Sequence, residues 1–160
     1  MDHPASSSAR LRRYRLAALL AGLACFTPPL AGAEGDIQTA FQHVAKAFRA
    51  GSSAAIGPIL PQRGKIRVDL PNLAKDSSGF LSASQFRYML DDILHRHQVV
   101  SFTFDPLAGP PRKEGTTAGA QLKIRTQDQE ILHLTLQLVF VGTSEGWVLR
   151  EFRERARVRP

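Results

Sequence analysis

Two aspartates, Asp105 and Asp92, come nearest to a general acid or base in this sequence. Asp105 stands at a strand end, directly before Pro106. Asp92 lies mid-helix, on the side most nearly opposite the apolar stripe, and Asp91 precedes it. Asp69 alternates with Ile66 and Val68 and so points away from their face. No acid interrupts the runs of Leu, Ile, Val and Phe that make up the assignable core faces. A carboxylate becomes a catalyst near neutral pH only where burial and neighbours shift its pKa. These carboxylates therefore read as solvated surface groups, and no catalytic residue is assigned beyond the two candidates.

Metal ligation is the second chemistry to weigh. His95 and His97 are two positions apart, which on a helix turns their rings about 200° from each other, too far round the axis to share an ion. No His-Glu-x-x-His spacing occurs, and the single cysteine, Cys25, falls within an N-terminal leader. The pair reads as cationic residues at a helix C-terminus, where the dipole favours them; neither a metal nor a cofactor is expected. His43 and His133 read as solvent-facing or edge residues. Phe102, Phe104, Trp147 and Tyr88 are candidates to line a ligand pocket, the first three equally at home in a core. Arg150, Arg153, Arg155, Arg157 and Arg159 fall within ten residues. The last four alternate, so an extended tail shows their guanidinium groups on one side, suited to lipid headgroups, cell-wall polyanions or an acidic partner.

The elements that must carry these residues follow from hydrophobic spacing. Ile37, Phe41, Val44 and Phe48 form one helical stripe, with Asp36 as N-cap and Gly51 as the stop. Ser52 and Ser53 cap a short second helical turn that offers Ile56 and Leu60 for burial and that Pro58 and Pro61 keep short. Lys65–Leu70 alternates as a half-buried strand, and Lys75–Gly79 reads as a loop. Ser82 and Gln85 make a capping box that opens a helix to about His95, with Phe86, Met89, Leu90, Ile93 and Leu94 on its apolar side. Strands follow at Val99–Phe104 (Val100, Phe102 and Phe104 on one face), Ala118–Thr126, Ile131–Val141 and Trp147–Glu154. Pro106–Gly115 is a long loop and Asp128-Gln129 a hairpin turn. Trp147 and Leu149 have one parity and Phe152 the other, which predicts a bulge near Arg150. The strand Ile131–Val141, with Leu132, Leu134, Leu136, Leu138 and Phe140 in phase, is expected at the centre of the sheet.

Residues 1–33 read as a cleavable signal peptide. Arg10, Arg12, Arg13 and Arg15 precede 11 apolar and small residues, Leu16–Phe26; Thr27-Pro28-Pro29 breaks the helix, and Ala31-Gly32-Ala33 supplies the cleavage site. The apolar run is too short for a span of about 20 residues. The competing reading is a lipoprotein acylated at Cys25, against which Gly22 stands where Leu is usual. The leader holds four of the 21 basic and one of the 14 acidic residues, so the mature domain carries a net +4 rather than +7. It has no cysteine, and its stability rests on the core. Nucleic acid is excluded as a partner by the compartment and by the lack of an aromatic-rich basic stripe.

Helices first and antiparallel strands last make residues 34–155 a single α+β domain, a curved antiparallel sheet wrapped around N-terminal helices, followed by a basic tail at 156–160. With its helix at Asp36–Gly51, its strand at Lys65–Leu70, its capped helix at Ser82–His95 and a meander ending Gly146-Trp147-Val148-Leu149, the chain resembles the nuclear-transport-factor-2-like superfamily with its cystatin-like cone. It is similar to short exported members of unassigned function. The resemblance implies, for enzymes of the group, an Asp or Glu base and an oxyanion donor facing an apolar cone. The superfamily also holds many non-catalytic domains. The expectation is an exported non-catalytic binding or assembly domain of the periplasm or cell envelope. Its partner would be an unidentified protein, a small apolar ligand, an anionic envelope surface or a second copy as a homodimer. The alternative is a small-molecule isomerase or dehydratase with a buried carboxylate in the cone.

Overall fold

Helix α1 spans Glu34–Ala50 and buries Ile37, Phe41, Val44 and Phe48 along one face, with Ala40 and Ala47 beside them. Alternation of large and small apolar residues lets the sheet approach the helix closely. The computed structural model describes residues 34–74 and 77–155. The expected leader, Lys75-Asp76 and the tail with Arg157 and Arg159 lie outside them. Helix α1 begins at Glu34, so Asp36, expected as its N-cap, lies within the helix. Gly51, at φ +62°, closes the helix, with its N–H and that of Ser52 donating to Phe48 and Ala47 carbonyls. A left-handed residue of this kind lets the chain leave the helix while satisfying its last carbonyls.

A 3-10 helix, Ser53–Ile59, follows immediately, capped by Ser52, whose hydroxyl accepts from the Ala54 N–H. Ile56, Ile59 and Leu60 are buried as its spacing implies. Helix α2, Ala83–Arg96, opens on the expected capping box: Ser82 accepts from the Gln85 N–H and Gln85 from the Ser82 N–H. Its face of Phe86, Met89, Leu90, Ile93 and Leu94 is buried.

Six strands form one sheet: β1 Ile66–Asp69, β2 Ser78–Leu81, β3 Gln98–Phe104, β4 Thr116–Arg125, β5 Ile131–Thr143 and β6 Gly146–Glu154. Their order is β2-β1-β6-β5-β4-β3, which makes β5 an interior strand. Leu134, Leu136, Leu138 and Phe140 of β5 are buried beside Ala118, Ala120, Leu122 and Ile124 of β4, and Phe140 meets Phe41 of α1 at 5.4 Å. The fold is α+β with a curved sheet around helices.

Three details depart from the sequence expectation. The loop at Lys75–Gly79 runs into a strand, β2, which pairs antiparallel with β1 through Ile66 and Leu81. The sheet is not antiparallel throughout, because β1 lies parallel to β6. In β3, Val100 does not share the face of Phe102: a bulge between Val99 and Ser101 pairs Val99 with Ile124 and leaves Val100 45% exposed. An extra residue in one strand reverses the side-chain phase beyond it. The bulge expected near Arg150 is present: Phe140 pairs with Leu149 and Val139 with Glu151, so Arg150 has no partner residue and Trp147, Leu149 and Phe152 all face the core.

The loop after β1 is fastened to the last strand. The Glu154 carboxylate accepts from the N–H groups of Asn72 and Leu73 and from the Asn72 amide, at 2.7 to 3.2 Å.

Candidate functional site

Aromatic rings from α1, α2 and the sheet pack against one another in the core. Phe41 stacks on Phe104 at 4.2 Å and Phe48 on Phe102 at 4.4 Å, while Phe102 and Phe104 meet edge to face at 5.2 Å. Phe140 and Phe152 extend the set, and Phe86 closes on Phe152 from α2. Such pairs each contribute about 0.5–1.5 kcal/mol beyond the area they bury. Among the described residues, the buried polar ones are Ser53 and Thr116, and no carboxylate is in the buried set.

The sequence candidates are placed accordingly. Phe102 and Phe104 are packed in the ring cluster. Tyr88 is 79% exposed on α2, at a position outside the apolar spacing of that helix. Asp92 pairs with Arg96 one turn on, at the surface. Asp105 turns onto the outer face of the sheet: its carboxylate accepts from the Gln121 amide at 3.1 and 3.2 Å, and its N–H donates to the Gly119 carbonyl. A Cβ on residue 119 would lie 2.5 Å from Asp105 Oδ2, so Gly119 leaves room for that turn. Neither aspartate enters the cone.

Of the C-terminal arginines, Arg150, Arg153 and Arg155 are among the described residues. Arg150, displaced by its bulge, reaches back to the carbonyl of Arg63, and Arg153 pairs with Glu151 at 2.9 Å. Arg155 continues the strand pairing through its N–H to the Thr135 carbonyl. His95 donates from Nδ1 to the Asp91 carbonyl at 2.6 Å, while His97 caps the helix C-terminus. Burial holds the His97 pKa below its ordinary value, and the Arg96 charge adds to this. No group of three His, Cys, Asp or Glu among the described residues is arranged to hold a metal.

Trp147 borders a cleft. This cleft of about 300 Å³ opens where α1 (Thr39, Ala40, His43), the 3-10 helix (Pro58, Ile59) and the β5–β6 turn (Ser144–Trp147) meet. Its walls are fixed by local bonds. His43 is half-buried, not solvent-facing, and its Nδ1 lies 2.8 Å from the Ala55 carbonyl. A carbonyl only accepts, so Nδ1 carries a proton, and in the neutral ring Nε2 is the acceptor. Asp91 of α2 holds the same 3-10 helix from its other side. Burial raises the pKa of Asp91, but the hydrogen bonds from the Ser53 N–H and hydroxyl, with the charges of His95 and Arg87, outweigh it and hold the carboxyl below its usual value. At the turn, the Thr143 hydroxyl donates to the Gly146 carbonyl and accepts from the Glu145 N–H. Glu145 accepts from the Gln62 amide at 3.2 Å. Nothing in linear spacing joins His43, Ile59 and Glu145; only the Gly-Trp start of β6 marked this corner in the sequence.

Order of elements, a sheet curved over α1 and a capped α2 on its open side decide the fold. The chain has the nuclear-transport-factor-2-like fold. Among solved structures, an NTF2-like design is 15% identical with a TM-score of 0.58, over 76% of this chain and 99% of that one. A DUF4783 family protein from Bacteroides uniformis is 16% identical with a TM-score of 0.58, over 74% of this chain and 97% of that one. A protein from Kribbella flavida is 11% identical with a TM-score of 0.60, over 79% and 91%. No family model and no curated protein matches the sequence. At these identities the NTF2-like likeness is one of fold, and function has to be argued from the site.

Proposed function

We propose that this NTF2-like chain is an exported, non-catalytic binding module of the periplasm or cell envelope. The observation that carries the reading is the packed ring cluster, with no carboxylate in the buried set among the described residues. An isomerase or dehydratase of this shape needs a carboxylate in a dry cavity, whereas the rings of Phe41, Phe48, Phe102 and Phe104 pack against one another and Asp92 and Asp105 lie outside the buried set. Export is supported by the basic, apolar and small-residue order of residues 1–33. No described helix is long and apolar enough to cross a membrane.

Expression of the full chain in a Gram-negative host tests both parts. The periplasmic fraction is expected to hold protein beginning at Glu34 by mass spectrometry. The purified protein is expected to leave the fluorescence of 1-anilinonaphthalene-8-sulfonate unchanged while native. Cytoplasmic retention overturns the export, a lipid adduct on Cys25 replaces cleavage after Ala33, and dye uptake by the native state overturns the packed ring cluster.

A further inference from the structure

We infer that the cleft between α1, the 3-10 helix and the β5–β6 turn binds a small hydrophobic ammonium, a protonated amine on an apolar body. The inference rests on the binding-module reading and names the ligand class for it. The apolar part of the cleft is supplied by Ala40, Pro58, Ile59 and Trp147, a surface that favours a hydrocarbon or aromatic group. Its polar groups set the sign of the ligand. Glu145 presents a carboxylate, one oxygen of which takes the Gln62 amide and the other of which remains for a donor. In the neutral ring of His43, with Nδ1 committed to the Ala55 carbonyl, Nε2 is a second acceptor. Among the described residues no lysine or arginine lines the cleft, although the chain as a whole is basic. Two acceptors, one of them anionic, over an apolar floor match an ammonium and discriminate against a carboxylate or phosphate of the same shape, which would face a like charge without a counter-ion.

The site is also preorganised. Thr143 holds the turn that carries Glu145 by two hydrogen bonds, and the 3-10 helix is tied to α1 by His43 and to α2 by Asp91. Little ordering is left for the ligand to bring about, which lowers the cost of binding.

Trp147, the sole tryptophan of the chain, reports occupancy directly. Phenethylammonium chloride titrated into the purified protein is expected to change the Trp147 emission saturably. Phenylacetate, the same ring with an anionic head, is expected to leave it unchanged, and 2-phenylethanol to bind more weakly than the amine. Glu145→Gln is expected to weaken the amine about fivefold, the size of an exposed ion pair, with an unaltered melting temperature because Glu145 is exposed at a turn. Thr39→Phe, which places a ring in the cleft from the exposed side of α1, is expected to abolish the change; if that variant does not fold, Glu145→Gln decides. Absence of a saturable change, equal binding of phenylacetate, or an unaltered affinity in Glu145→Gln overturns the proposal. Such a failure removes the ammonium ligand alone, since export and the packed ring cluster are read by separate measurements.

Discussion

Asp91 accepts two hydrogen bonds from Ser53, one from the backbone N–H and one from the hydroxyl, each at 2.7 Å and across 38 residues of sequence. Ser53 is fully buried, so this carboxylate is what satisfies the first turn of the 3-10 helix. Asp91→Ala leaves a buried N–H and hydroxyl without partners and is expected to cost about 1–3 kcal/mol in denaturant melts. Ser53→Ala keeps the backbone bond and should cost less. Because the folded pKa lies below the ordinary 3.8, the unfolded chain takes up the proton first as acid is added. The stabilisation is whole at neutral pH, declines as the pH falls past 3.8 and is gone below the lowered folded value. A stability profile of Asp91→Asn should lack that acid step.

His97 sets a second step, at milder pH. Its folded pKa is lowered from 6.5, so the neutral ring is favoured in the native state and the unfolded chain binds the proton first. Stability is expected to be level above 6.5, to fall as the pH drops from 6.5 to the lowered folded value, and then to level off with respect to this group. His97→Gln should flatten the profile in that interval. An unchanged slope in the variant would refute the assignment.

Gly119→Ala drives a methyl group into the Asp105 carboxylate, which must swing away and give up its bonds to Gln121. The expected loss is about 1 kcal/mol, the low end for overpacking, because a side-chain tip is what yields. Asp105→Ala on the Gly119→Ala background should recover most of it. Additive losses in that double-mutant cycle would show that the two residues do not meet.

Adjacent positions in β5 should respond in opposite ways. Leu136 is fully buried, so Leu136→Asp places an unpaired charge in the core and is expected to abolish folding. Thr135 lies on the other face and donates to Gln121 at 3.2 Å, so Thr135→Asp should cost about 1 kcal/mol and melt cooperatively. Comparable thermal melts for the two variants would contradict the phase of this strand.

What was legible beforehand followed from periodicity and local capping. The α1 stripe, the Ser82–Gln85 box and the phase of β5 are properties of contiguous residues. The bulge at Arg150 was visible because Trp147 and Phe152 conflict in parity. The bulge at Val100 was not, because Val100, Phe102 and Phe104 agree in parity on paper and only pairing with β4 breaks them apart. Strand β2 is four residues with Ser78 and Gly79 at its start, a composition typical of loops, and it exists because β1 offers an edge. Of the cleft only Trp147 was legible, since His43, Ile59 and Glu145 come together only where α1 and the 3-10 helix meet the turn that opens β6.

The parallel pairing of β1 with β6 dictates the sequence of assembly as the chain is made. Strand β1 has one neighbour in β2, synthesised soon after it, but its other neighbour is the final strand of the domain. The same holds for the Asn72 loop, which waits 82 residues for Glu154. Until residues 146–154 emerge, the β1–β2 hairpin has a bare edge and the rings of Phe48 and Phe86 lack the Phe152 they pack against. A nascent chain stalled before β6 should therefore be digested by protease as readily as an unfolded one, and the domain should snap shut only on release of its last strand.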